Sequence, residues 1–113
     1  MHEMGIAQAV LEQALNAAEA NDISRITRLH LKLGTFSGVV EDALRFSFEI
    51  ASQETKAEGA VLEVENVPLT IRCADCGKES AIQPLLFQCL SCGSRRVDIL
   101  TGQELTLDSI EGE

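Results

Sequence analysis

All four cysteines of the chain fall within one stretch, CADCGKESAIQPLLFQCLSCG. Cys73 and Cys76 form one C-x2-C pair and Cys89 and Cys92 a second, with twelve residues between the pairs. Two such pairs can close a tetrahedral site of four thiolates around zinc. Each second cysteine is followed by a glycine, Gly77 and Gly93, whose missing Cβ lets the backbone bend sharply and turn amide N–H groups toward the sulfurs. Structural zinc is the reading these residues favour over a redox dithiol or a labile metal. A thioredoxin-like site would use one such pair at a helix start rather than two matched turns. The segment's large apolar residues are Ile82, Leu85, Leu86, Phe87 and Leu90, too few for an independent core, so a metal would supply much of its folding free energy.

A second chemical pattern stands at the amino terminus, MHEMGIAQAV. The α-amine of Met1, the amide nitrogen of His2 and its imidazole Nδ1 can chelate one ion through fused five- and six-membered rings. Glu3 can add its amide nitrogen or its carboxylate. A planar, nitrogen-rich set suits Ni(II) or Cu(II). It requires a free amine, consistent with a large second residue that blocks removal of the initiator methionine, and affinity falls with pH because the donors must lose protons. The competing reading is an exposed terminal histidine followed by an acidic residue that favours a helix start.

Composition restricts the partners. With 113 residues, 45% of them hydrophobic, the chain supports one modest core with a small satellite unit held some other way. Nine Lys and Arg against eighteen Asp and Glu give a net charge of −9, which repels phosphate backbones and anionic membrane surfaces. No apolar run is long enough for a membrane span and no secretory leader is evident, so a cytoplasmic protein is expected and disulfides are not. Between Arg72 and Asp98, four bases, three acids, four thiolates and one Zn2+ sum to about minus one, and only Phe87 could stack on a base, which argues against a nucleic-acid ribbon.

The elements that position these residues follow from periodicity. Met4, Ala7, Leu11, Ala14, Leu15 and Ala18 recur at three- and four-residue steps, predicting an amphipathic helix that ends near Asn21 and Asp22. From Ile23 to Gly34, Leu29, Leu31 and Leu33 alternate with Arg28, His30 and Lys32, a half-buried strand. VVEDALRFSFEIAS predicts a second helix with Glu41 and Asp42 at its positive end and Leu44, Phe48 and Ala51 as its stripe. AVLEVENV alternates Leu62 and Val64 with Glu63 and Glu65, and GQELTLDSI pairs Leu105 with Leu107, giving two more strands. The expected class is α+β, a small three-stranded sheet with two helices plus an inserted four-cysteine zinc-ribbon module. The expected division is 1–69 with 101–113 for the α+β part and 70–100 for the zinc part.

The remaining polar residues read as structural. His30 lies on the polar strand face and is taken as solvated. Glu41 with Asp42 and Glu63 with Glu65 read as helix-start and strand-surface charges, not catalytic dyads. Ser37 sits in no G-x-S-x-G context, and no phosphate-binding glycine loop is present. No enzyme is indicated.

MHEMGIAQAVLEQAL, FSFEIA, AEGAVLEVENVP, the four-cysteine segment and TGQELTLDSIE occur in the order and spacing of the HypA/HybF family of hydrogenase nickel-incorporation proteins, which the chain resembles over essentially its whole length. The resemblance implies a metallochaperone that receives Ni(II) and, with a HypB-type GTPase, helps insert it into the [NiFe]-hydrogenase large subunit. It implies His2 as the essential nickel ligand with Met1 and Glu3 in the same site, and Cys73, Cys76, Cys89 and Cys92 as structural zinc ligands. Urease maturation in some members and weak self-association are further family expectations. Certain relatives place an acidic side chain near nickel just before the second helix; this chain departs from that pattern with Val40 there and Glu41 and Asp42 following. The alternative function is a zinc-ribbon interaction adaptor with an inert terminus.

Overall fold

The computed structural model describes residues 2–113. In chain order the elements are α1 (Glu3–Ala20), β1 (Ile26–Gly34), α2 (Glu41–Ala51), β2 (Val61–Val67), β3 (Thr70–Cys73), β4 (Glu79–Ala81), β5 (Val97–Thr101) and β6 (Leu105–Gly112). They build two three-stranded sheets, ordered β2-β1-β6 and β4-β3-β5. The chain divides into two compact units, one made of Met1–Lys32, Gly38–Glu65 and Thr106–Glu113, the other of Leu33–Ser37 and Asn66–Leu105.

In the first unit, Ala7, Val10, Leu11, Ala14 and Ala18 form the buried stripe of α1. Three of these five are alanines, which allow a close approach to neighbouring elements without a large loss of rotamer entropy. Met4, counted in the stripe by its spacing, stays 37% exposed. Asn21 closes the helix by donating from Nδ2 to the Ala17 carbonyl at 2.8 Å. Asp22 then turns the chain with a positive φ of 56°. This turn delays the strand: β1 begins at Ile26, three residues later than the alternation suggested. The leucine face holds as read, with Ile26, Leu29 and Leu31 sealed against Leu44 and Phe48 of α2 and Leu62 of β2 in one apolar cluster. Full burial of each such leucine is worth about 1.5–3 kcal/mol.

In the second unit, β3 pairs with both neighbours in antiparallel register, Ile71 opposite Ser80 and Ile99, and Arg72 opposite Glu79 and Asp98. Leu69, Ile71 and Ile82 form a small buried cluster with Phe87, Val97 and Ile99 against it. The unit therefore has a minor core of its own, built from short strands that the sequence reading passed over. Thr70 and Thr101 bridge the sheet through hydroxyls 2.6 Å apart, and Thr101 also donates to the Pro68 carbonyl at 2.7 Å.

Candidate metal centres

The end of β3 delivers Cys73, and the chain then turns so that the Gly77 N–H reaches the Cys73 carbonyl at 2.9 Å. The second pair repeats the device: the Gly93 N–H reaches the Cys89 carbonyl at 3.0 Å. Gly77 and Gly93 have φ of 77° and 76°, and a Cβ on either would meet nothing within 4 Å. The demand for glycine is thus conformational, because the left-handed region is costly for other residues. Cys73 and Cys89 are buried while Cys76 and Cys92 are exposed, so each turn contributes one inner and one outer sulfur.

The four sulfurs lie within 4.8 Å of one another, with Cys73 and Cys92 Sγ at 3.6 Å and Cys76 and Cys89 Sγ at 3.6 Å. A tetrahedron of ~2.3 Å metal–sulfur bonds has edges of about 3.8 Å, so this cluster fits such an ion. Backbone amides turn toward the inner sulfurs: the Cys76 N–H approaches Cys73 Sγ at 3.4 Å, and the Ser91 and Cys92 N–H groups approach Cys89 Sγ at 3.4 and 3.5 Å. The Cys92 and Ser91 amides pull the Cys89 thiol down to about 6 against the opposing effect of burial. The Cys76 amide likewise lowers Cys73. Cys92 behaves oppositely: the Ser94 amide favours its thiolate, yet the adjoining Cys73, desolvation and the other two sulfurs together push it up to about 12. Holding all four as thiolates this close would require a cation. Among the described residues, this is the one cluster of three or more His, Cys, Asp or Glu side chains with metal-holding geometry.

The terminal pattern falls in the first unit. Met1 lies outside the described residues. His2 is the N-cap residue of α1; its carbonyl accepts the Ile6 N–H at 3.2 Å, its side chain makes no capping hydrogen bond, and the residue is exposed. Glu3 opens α1, and its Oε2 accepts the Val40 amide at 3.4 Å, a contact the sequence did not indicate. The Glu3 amide belongs to the first helical turn, where N–H groups have no partner within the helix.

His30, taken as solvated from its alternation, is instead held: its Nδ1 lies 3.1 Å from Glu63 and its Nε2 2.5 Å from Glu111, with Arg28 ion-paired to Glu63 beside them. The pairing of β2 and β6 on either side of β1 brings these carboxylates together. A single strand's periodicity carries no information on that order.

A family profile described as "Hydrogenase/urease nickel incorporation, metallochaperone, hypA" matches residues 1–112. The hydrogenase maturation factor HypA of Roseiflexus sp. (strain RS-1) is 46% identical over 114 residues, covering all of this chain and 93% of that protein. The HypA of Streptomyces avermitilis is 43% identical, covering all of this chain and 88% of its own length. The fold is similar to the solution structure of the Ni metallochaperone HypA from Helicobacter pylori, with a TM-score of 0.71 at 24% identity, covering 99% of this chain and 97% of that one. A further HypA solution structure superposes with a TM-score of 0.75 at 24% identity, covering 100% and 97%.

Proposed function

The chain belongs to the HypA family of hydrogenase and urease nickel-incorporation metallochaperones, maturation factors and not enzymes, and from that membership we propose that it binds Ni(II) at its amino terminus and delivers it to the [NiFe]-hydrogenase large subunit. The observation that carries this reading is the family match over residues 1–112, which includes the terminal Met-His-Glu. The proposed donors are the Met1 amine, the His2 amide and Nδ1, and Glu3. For Glu3, the contact between its carboxylate and Val40 favours the amide nitrogen. Deprotonating the His2 and Glu3 amides would break no helical hydrogen bond, and the positive end of α1 favours the resulting negative charge.

Cys73, Cys76, Cys89 and Cys92 would hold Zn2+, which supplies the charge that lets four thiolates share one site. On this reading residues 1–69 and 101–113 carry the nickel function and residues 70–100 the zinc function. The protein works in the cytoplasm with a HypB-type GTPase, and the role extends to urease maturation where that enzyme is present. Among the described residues no helix is long and apolar enough to cross a membrane. Because the nickel donors lie on one short segment, a partner can replace them one at a time, so the ion need never be released into water.

Titration of untagged, zinc-loaded protein with Ni(II) tests the reading. A planar site gives a visible d–d band that saturates at one ion per chain and disappears in His2→Ala, with the zinc retained. An N-terminal extension should weaken uptake. Absence of the band, or full affinity in His2→Ala, would overturn the terminal nickel site and leave the adaptor function.

A further inference from the structure

Each cysteine turn is closed on itself. The Cys73 N–H donates to the Lys78 carbonyl at 2.9 Å and the Cys89 N–H to the Ser94 carbonyl at 2.8 Å, so bonds within each turn shape the backbone that carries its two sulfurs. They do not hold one turn against the other, although the sulfurs that approach to 3.6 Å, Cys73 with Cys92 and Cys76 with Cys89, come from opposite turns. The inner sulfurs have outside support. Cys73 ends β3 opposite Val97 of β5, and Cys73 and Cys89 are 1% and 2% exposed. Cys76 and Cys92 are exposed and lie in the turns themselves, so no strand and little packing holds the outer pair.

Side chains next to that outer pair reach from one turn to the other. Asp75, the neighbour of Cys76, accepts the Ser94 hydroxyl on its Oδ2, and Arg96 Nη1 lies 3.5 Å from its Oδ1. Ser94 follows Gly93 on the second turn, and its amide favours the Cys92 thiolate. Its Oγ accepts the Arg96 N–H at 3.1 Å, which leaves its single hydroxyl proton for the Asp75 carboxylate. The Ala74 N–H donates to the Arg96 carbonyl at 2.8 Å, so the backbone joins the same two stretches. The side-chain bridge is one-sided. Ser91 and Lys78 stand at the corresponding positions of the opposite turns, and among the described residues no hydrogen bond joins their side chains.

We propose that Asp75 and Ser94 are positioning residues of the four-sulfur site, whose hydrogen bond keeps the exposed sulfurs of Cys76 and Cys92 together and so slows the escape of the ion they share. A competing chelator approaches from the solvent side, where an outer sulfur has to swing away first. The bridge opposes that step without touching the ion. This inference rests on the reading that the cluster holds Zn2+, and transfer of zinc from the full zinc-loaded chain to pyridylazoresorcinol tests it. Ser94→Ala and Asp75→Ala should each lose zinc about tenfold faster than the unaltered chain, and the double variant should be no faster than Asp75→Ala alone, because both changes remove one bond. Ser94→Thr keeps the hydroxyl and should stay near the unaltered rate. Every variant should still bind one ion per chain, and its Co(II)-substituted form should keep the visible bands of a tetrahedral thiolate site, which separates faster escape from a damaged site. An unchanged rate in Ser94→Ala overturns the proposal. That includes the case in which Asp75→Ala alone is faster, since Ser94→Ala leaves the charge as it was and a carboxylate acting only through its field would give that split. Absence of bound zinc from the unaltered chain would overturn the zinc reading itself, and the positioning role with it.

Discussion

The Glu3 carboxylate accepts the Val40 amide at 3.4 Å, so α2, whose N-cap residue Val40 has no capping side chain of its own, receives an acceptor from the first residue of α1. A carboxylate there accepts the N–H of the N-cap residue and opposes the positive end of the helix, as the glutamate of a capping box does. Glu3→Ala should therefore fray the first turn of α2 at a cost of about 0.5–1 kcal/mol, with Glu3→Gln losing less because the amide oxygen still accepts. Hydrogen exchange at Val40 checks this; unchanged protection in Glu3→Ala would show that the contact contributes nothing. If the Glu3 amide and not its carboxylate binds nickel, the Ni(II) absorption band should survive in Glu3→Ala.

The four-sulfur cluster joins the two cysteine turns, and the apolar cluster of this unit has only three buried members, Leu69, Ile71 and Ile82. So small a core is expected to need a bound metal for its stability. Cys76→Ser replaces a thiolate with a poorer donor. It should cost most of the zinc affinity and unfold the second unit, while the first unit, with twelve buried apolar residues in its own cluster, stays folded. Calorimetry should show the loss of one transition, and chelation of zinc from the unaltered protein should reproduce it. An unchanged melting profile would mean that the metal is not structural.

The first unit was legible because its elements are long enough to show a period. Leu29 and Leu31 alternate with charged residues in a nine-residue strand, and Leu44 and Phe48 lie one helical turn apart. The cysteine spacing and its glycines likewise announced the sulfur cluster, since both encode local geometry. What stayed hidden depends on distant parts of the chain. β4 has three residues and β3 four, too short for alternation to register. The approach of Glu3 to Val40 joins positions 37 residues apart, and no pattern in either helix encodes it. The restriction at Gly102 is of the same kind, because it is imposed by Leu69.

Gly102 combines two constraints. Its φ of +118° lies outside the regions open to a residue with a side chain, and a Cβ there would stand 2.8 Å from the Leu69 Cα and 3.1 Å from its Cδ1. Leu69 is 1% exposed and belongs to the second unit's small core, so it has little room to give way. The Gly102 carbonyl also accepts the Phe36 N–H at 2.7 Å, which ties the backbone in place. Gly102→Ala should destabilise this unit by about 3 kcal/mol, read as a lower melting temperature and faster zinc loss to a chelator. Ni(II) uptake at the proposed site on residues 1–3 should be retained. A shift within ±0.5 kcal/mol would mean that the turn has an alternative conformation free of strain.

His30 and the terminal His2 are the chain's two histidines, and their surroundings separate their roles. His30 sits mid-strand with Glu63 at 3.1 Å on one ring nitrogen and Glu111 at 2.5 Å on the other. Arg28 pairs with Glu63 and lies 3.8 Å from Glu111. A metal ion would have to displace a carboxylate contact and enter beside a guanidinium, both unfavourable. The network ties β1 to both neighbouring strands, yet its side chains are between 31% and 57% exposed, so solvent screens it and each pair contributes well under about 1 kcal/mol. His30→Gln should change stability by less than about 1 kcal/mol and leave Ni(II) stoichiometry, affinity and the visible band as they are, whereas His2→Ala removes all three. Loss of nickel binding in His30→Gln would instead put a ligand on the outer face of the sheet, far in sequence from the terminus, and would require a donor set other than the consecutive nitrogens of residues 1–3.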